Sequence, residues 1–234
     1  MTARGRVAVA MSGGVDSAAA ALLLLQAGYD VWGVTLRLQS CGTAAAAAEE
    51  EIEAARRAAA ALGIPHRVLD LRERFRTAVM DRFVSEYLAG RTPNPCVDCN
   101  REIKFGALLD WVLEQGADFL ATGHYARVDR DGEGGRRRLL RGLDRQKDQS
   151  YVLYQLTQKQ LAHLLLPLGD HHKPSVRAMA EARGLTNARK ADSQDICFIP
   201  DGDYAAFLVR SGAELVPGDF VDRDGPEGPR SDPC

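Results

Sequence analysis

The sequence predicts an α/β fold, a parallel sheet covered on both faces by helices. Apolar β-rich runs alternate with helical runs through the first half of the chain, and a glycine-bearing turn joins the first strand to the first helix. In order, the expected elements are a strand at Arg6 to Ala10, a helix at Ala18 to Gln26, a strand at Val31 to Leu36 and a helix at Glu49 to Leu62. A short strand at Arg67 to Asp70, helices at Arg72 to Leu88 and Glu102 to Gln115, and a strand at Phe119 to Thr122 follow. Right-handed crossovers between such strands put ligand loops at their C-terminal ends. Tyr125 to Val128 and Arg138 to Leu140 flank a polar, glycine-rich stretch and read as a hairpin capping the sheet.

After Leu156 the pattern changes to short helices, with Pro174 opening a helical run through Arg183. Three units are therefore expected: a main domain over 1–165, a small, mainly helical domain over 166–216, and a tail over 217–234. That tail holds Asp222, Asp224, Gly225, Pro226, Gly228, Pro229 and Pro233. The alanine run Ala44 to Ala48 carries helix propensity and no chemistry.

Hydrophobic residues make up 45% and charged residues 26% of the 234, a composition that argues against disorder throughout. A net charge of -2 gives no bulk attraction for nucleic acid, so any RNA contact must be local. The densest basic stretch is Arg136, Arg137, Arg138, Arg141, Arg145 and Lys147. The longest apolar run, Ala18 to Leu25, falls well short of the roughly 18 residues of a membrane helix, and the expected location is the cytoplasm. Five cysteines, Cys41, Cys96, Cys99, Cys197 and Cys234, then point to metal binding or redox chemistry rather than a disulfide framework.

The segment Ala10, Met11, Ser12, Gly13, Gly14, Val15, Asp16, Ser17 leaves a strand and enters a helix, the setting of a phosphate-cradling loop. Its glycines bring N–H groups near an oxyanion, and the helix start adds a positive dipole end. The loop lacks the lysine of G-x-x-x-x-G-K-S/T. It carries Asp16 instead, which would repel phosphate unless Mg²⁺ intervened. This points away from γ-phosphoryl transfer. Leu36, ending the second strand, is either plain core or, if the loop holds a nucleotide, placed to meet its adenine.

The loop Thr92 to Asn100 presents Cys96 and Cys99 at C-x-x-C spacing between prolines and a helix. The helix start, Arg101 and Lys104 are expected to lower the thiol pKa. Spacing alone leaves a zinc half-site, a redox pair and an iron–sulfur ligand set open. Cys197, among Ile196, Phe198 and Ile199, is either a core cysteine or a partner thiol folding back over the nucleotide loop.

Two resemblances sharpen these readings. The string S-G-G-V-D-S is similar to the pyrophosphate loop of the N-type ATP pyrophosphatases, which cleave ATP between the α and β phosphates. With T-P-N-P-C-V-D-C-N-R-E-I-K-F-G, A-T-G-H-Y-A-R, K-D-Q-S-Y-V-L and D-S-Q-D-I-C-F-I-P in this order, the chain resembles the tRNA-specific 2-thiouridylases of the bacterial MnmA type from about Arg6 to Phe220. The resemblance implies a Rossmann-like sheet of the pyrophosphatase type and ATP with Mg²⁺. It implies an adenylated O2 on the wobble uridine of tRNA and sulfur delivery by a cysteine persulfide. Cys99 matches the nucleophile, and Cys197 the partner that bears the persulfide or closes a disulfide. Asn94, Pro95 and Cys96 match the loop touching the target base; part of the family has an aspartate at the position of Cys96. Gly123 matches an ATP contact, and His124, Lys147, Asp148 and Gln149 match tRNA contacts. A sulfur-donor protein, such as a cysteine desulfurase or relay protein, is the implied partner, with no membrane. Since the family continues into a β-barrel, the resemblance makes the segment 217–234 a remnant of that barrel or a disordered tail. Two alternatives are a 4Fe-4S cluster held by Cys96, Cys99 and Cys197, and a nucleotide-binding sensor without catalysis.

Overall fold

The computed structural model describes residues 4–39, 42–132, 134–185, 196–214, 218, 221–222 and 225–226. Cys41, Cys234, most of the tail and Asp192 to Asp195 lie outside the described residues.

Five strands, β1 (Arg6–Ala10), β2 (Asp30–Arg37), β3 (His66–Asp70), β4 (Phe119–Ala121) and, late in the chain, β7 (Leu164–Leu165), form one parallel sheet. Their order is β3-β2-β1-β4-β7. Val7 pairs with Val31 on one side and Phe119 on the other, so β1 is central. Val7, Ala8 and Val9 have no exposed surface, which is why this strand is continuously apolar rather than alternating. The order reverses beside β1, and the crevice above the C-terminal ends of β1 and β4 is the switch point where such sheets take ligands.

Helix α1 (Val15–Gln26) covers one face with a run of buried alanines and leucines, between the sheet, α2 (Gly42–Leu62) and α8 (Lys173–Ala182). Val176 and Ala180 of α8 lie in the same cluster as Val7, Val9 and Ala18. α2 begins seven residues earlier than the sequence suggests, because the alanine run extends the helix by propensity alone. The other face packs Trp32, Val34, Leu108, Leu109 and Val112.

The stretch from Arg72 to Leu88 is helical as expected, as α3 (Arg72–Phe75), a π-helical turn at Arg76–Met80 and α4 (Asp81–Leu88). A second composite helix runs through α5 (Pro95–Asp98), a π-helical segment Cys99–Leu108 and α6 (Leu109–Glu114). It starts at Pro95, not Glu102. The Asn94 side chain accepts a hydrogen bond from the Cys96 N–H at 3.1 Å and caps it, and Pro95 stands at the first position, where its missing N–H costs nothing. Both cysteines are thus inside the helix rather than on a loop before it.

The hairpin, β5 (Ala126–Arg130) and β6 (Arg137–Arg141), forms its own antiparallel pair with Val128 opposite Leu139. It is followed by α7 (Gln158–Ala162), capped by a reciprocal Thr157–Gln160 pair, and later α9 (Tyr204–Arg210). A last antiparallel pair is β8 (Val221–Asp222) with β9 (Gly225–Pro226). A third cluster joins Phe75, Phe83, Phe198 and Phe207 in edge-on and tilted ring contacts 5.2–5.9 Å apart. It ties the Ile196–Ile199 segment to α4, and so sets the position of Cys197.

Candidate functional site

The loop after β1 is fixed by its own hydroxyl and by close packing. Ser17 Oγ accepts from the Ser12 N–H at 3.2 Å and donates to the Gly14 carbonyl at 3.1 Å, closing the turn. Gly13 has φ +72°, and a Cβ there would lie 2.5 Å from the Glu51 carbonyl oxygen of α2, so no other residue fits. Gly14 caps α1 without a side-chain hydrogen bond, leaving the first N–H groups of the helix for a ligand. Gly123, after β4, meets the same loop from the side. A Cβ there would fall 2.9 Å from Asp16 C and Ser17 N, so its glycine is a requirement of close approach. Leu36 is half-buried at the end of β2, beside Thr35, whose hydroxyl donates to the Met11 carbonyl at 2.8 Å. The residues from Ala10 to Ser17, Leu36 and Gly123 therefore gather at the switch point.

Asp16 does not stand alone against the phosphate position. Lys173 Nζ, from the start of α8, lies 2.7 Å from its Oδ2, and the Tyr125 hydroxyl donates to its Oδ1 at 2.8 Å. Lys173 is nearly buried, with its ammonium 5.8 Å from the Tyr125 ring centroid. The lysine absent from the loop is supplied by an element 157 residues away. Sequence reasoning missed it, since Pro174 signals the helix start and nothing marks the preceding lysine as facing a distant loop.

The three thiols of the described residues, Cys96, Cys99 and Cys197, are free. Asp98 is buried between Arg82 (3.2 Å) and Arg101 (3.4 Å), pinning the cysteine helix to α4. Burial pushes the Cys99 thiol pKa up, opposed by Lys104 and reinforced by Cys96 and Asp98. Cys197 keeps solvent-accessible surface, yet protein crowds its sulfur enough to push the pKa up to about 12, with the charges of Cys99 and Cys96 adding to burial. The expected lowering of the thiol pKa is thus overturned. Desolvation outweighs Lys104, and the Arg101 guanidinium is engaged by Glu102, Gln155 and Asp98. The electrostatic coupling of Cys197 to Cys99 and Cys96 places the three in one neighbourhood, which also includes Lys104 and Glu51.

Two electrostatic links connect this neighbourhood to residues beside the nucleotide loop. Lys104 acts on Cys99, Cys197 and His124, and His124 directly follows Gly123. Glu51, within electrostatic range of Cys197, is the residue whose carbonyl faces Gly13. His124 is buried, its Nδ1 2.7 Å from the Thr122 hydroxyl, and burial holds its pKa well below 6.5, so it is neutral at pH 7. Asp148 and Gln149 turn inward. Asp148 accepts from the Gly142 N–H at 2.8 Å and from the Ser150 hydroxyl at 2.8 Å, and Gln149 Oε1 accepts from the Tyr125 N–H at 3.0 Å. Lys147 is half-buried in the same turn.

Among the described residues, no three His, Cys, Asp or Glu side chains are arranged to share a metal ion. No helix among them is long and apolar enough to cross a membrane.

The family model described as "tRNA methyl transferase HUP domain" matches residues 5–201. The chain belongs to that family. It is 51% identical over 230 residues to the tRNA-specific 2-thiouridylase MnmA of Carboxydothermus hydrogenoformans, covering 95% of this chain and 63% of that protein. The MnmA of Methylorubrum extorquens is 52% identical over 226 residues, 94% of this chain and 58% of that one. The chain thus spans less than two thirds of the length of these relatives. The U34-tRNA thiolase NcsA from Methanococcus maripaludis, solved with its [4Fe-4S] cluster, shares the fold at TM-score 0.53 and 18% identity, over 90% of this chain and 71% of that one.

Proposed function

We propose that the chain is an ATP-dependent tRNA-uridine 2-sulfurtransferase acting on the wobble uridine. The supporting observation is the link between a phosphate-cradling loop and coupled thiols: Glu51, whose carbonyl faces Gly13, acts on Cys197, and Lys104 acts on Cys99, Cys197 and on His124, the neighbour of Gly123. The relatives' names, tRNA-specific 2-thiouridylases, accord with this chemistry.

In the proposed sequence, O2 of the uridine attacks the α-phosphorus of ATP, the bond to the β-phosphate breaks and pyrophosphate leaves. Free N–H groups at the start of α1 receive the phosphates, and Lys173 balances Asp16 so that the loop does not repel them. The residues build no protein cage for Mg²⁺, since both Asp16 oxygens are engaged; the ion would arrive with the nucleotide and shield its charge. The terminal sulfur of a persulfide on one of Cys99 and Cys197 then attacks C2 and expels AMP. The other thiolate attacks the sulfur still bound to the protein, leaving the new sulfur on C2 and a Cys99–Cys197 disulfide that an external thiol reduces. Asn94, Pro95 and Cys96 form the end of the helix that faces the base, and a loop nucleotide is splayed into such a site at modest cost. The sulfur comes from a donor protein, and the reaction is cytoplasmic.

The test is incubation of the chain with unmodified tRNA, ATP and a persulfide donor. Pyrophosphate release that depends on tRNA, with 2-thiouridine detected by mass spectrometry, is the expected result. ATP binding without tRNA-dependent turnover would replace the enzyme with a sensor.

A further inference from the structure

The turn after β6 has an outward face that the proposed chemistry does not use. Ser150–Val152 is a 3-10 turn, extended by a Leu153 N–H to Ser150 carbonyl hydrogen bond at 3.1 Å. Tyr151 lies within this turn and Tyr154 follows it, three residues on. They are 62% and 67% exposed, while Val152 and Leu153 between them are 6% and 1% exposed, anchored in the core with Phe105 and Leu108. Two rings are therefore held out into water by a backbone that cannot easily collapse around them. The inward bonds of Asp148 and Gln149 brace the same turn.

The platform is joined to the cysteine helix. Gln155 Nε2 donates to the Tyr154 hydroxyl at 2.8 Å, and Gln155 Oε1 accepts from Arg101 at 2.9 Å, two residues beyond Cys99. Gln160 Nε2 donates to the Phe105 carbonyl at 2.7 Å, so the tyrosine segment runs alongside that helix. Carboxylates beside Arg101 and in the turn are engaged by cations or backbone donors, Glu102 sharing Arg101 with Asp98. Asp98 is matched by Arg82 and Arg101; Asp144 and Asp148 are turned onto backbone donors, Asp144 accepting from the Gln146 and Lys173 N–H groups. Arg145 and Lys159 are exposed nearby in sequence.

We propose that Tyr151 and Tyr154 form a stacking platform for unpaired bases adjoining the target nucleotide, holding the RNA loop while the target base enters the site beside Cys99. The inference rests on the reading of the chain as an RNA-acting enzyme and adds two binding residues to it. Bases stack on exposed aromatic rings with little sequence preference, at roughly 1–3 kcal/mol per base, or about 5- to 150-fold in affinity. A single-stranded loop is favoured over a duplex because a paired base has no free face.

The experiment uses an anticodon stem-loop RNA with 2-aminopurine in turn on each side of the target uridine, with the chain and its Y151A, Y154A and Y154F variants. The expected result is fluorescence quenching on binding, lost in Y154A or Y151A, with RNA affinity and KM worsened at least fivefold and kcat little changed. Y154F keeps stacking, and ATP affinity and melting temperature are unchanged in all three. Wild-type RNA binding and thiolation that are indifferent to both alanine variants would overturn the platform and leave the proposed function standing; no RNA binding by the wild type overturns both. Alanine variants that keep RNA affinity but lose sulfur delivery only from a donor protein, with free sulfide still effective, would assign the face to a protein and also overturn the platform.

Discussion

The two halves of the site are prepared to different degrees. At the nucleotide end, Gly13 and Gly123 sit where a Cβ would collide, Ser17 closes the turn, and the only carboxylate of the loop is neutralised by Lys173. At the sulfur end, Cys99 adds to the burial that raises the Cys197 pKa, and burial keeps both as thiols. The cradle is preorganised, and the nucleophiles are not. A thiol kept protonated until its target arrives is a poor reactant for stray electrophiles, since attack proceeds through the thiolate.

The largest expected effect falls on the sulfur side. Cys99→Ser should lower 2-thiouridine formation at least 100-fold, by mass spectrometry of the RNA, while ATP affinity stays within twofold. Cys96→Ala should retain most activity; equal losses at Cys96, Cys99 and Cys197 would instead favour a three-thiolate cluster. Next, Gly123→Ala presses a methyl into the Asp16–Ser17 backbone and should weaken ATP binding about tenfold or more by calorimetry, with the thiols' alkylation rates unchanged. An unaltered ATP affinity would separate the two regions. Lys173→Met should destabilise the fold by roughly 2–3 kcal/mol, low for a buried pair because Asp16 is 31% exposed, and raise the ATP dissociation constant by more than Lys173→Arg does; denaturant melts and calorimetry read both.

The pH dependence sharpens the contrast. With the Cys197 pKa pushed up to about 12, its alkylation by iodoacetamide should climb about tenfold per pH unit from pH 7 to 10 without a plateau. A plateau near pH 7 would mean an activated thiolate. Because this folded-state pKa lies above the unfolded one, the thiol's contribution to stability is complete below about pH 8.5 and is lost as pH rises toward 12, and Cys197→Ser should flatten that decline. The smallest effect is at the helix start, where Asn94→Ala removes a cap worth about 1 kcal/mol.

The nucleotide end was legible because its signal is local: eight consecutive residues between a strand and a helix specify the turn, and its glycines have a geometric reason that any reader of the sequence can anticipate. The parallel sheet followed from the same alternation of elements, but its strand order and the short edge strand Leu164–Leu165 did not. The sulfur end was legible as residues but not as chemistry. Asn94 and Pro95 are ordinary helix-start signals, but the prolines around them equally suggest a loop, which defers the expected helix to Glu102. The thiol environment depends on how much protein surrounds Cys99 and Cys197, and burial, set by Phe83, Phe198 and their neighbours, has no short-range signature. Lys173 was invisible for the same reason, as a contact between positions 16 and 173 leaves no periodicity to read.

That last contact has a consequence for synthesis. A ribosome adding about 5–20 residues per second needs roughly 8 to 30 seconds to go from Asp16 to Lys173, a separation of 157 positions. Throughout that interval the emerging first turn carries an uncompensated carboxylate, so the nascent chain should hold nucleotide weakly until α8 has been made and docked.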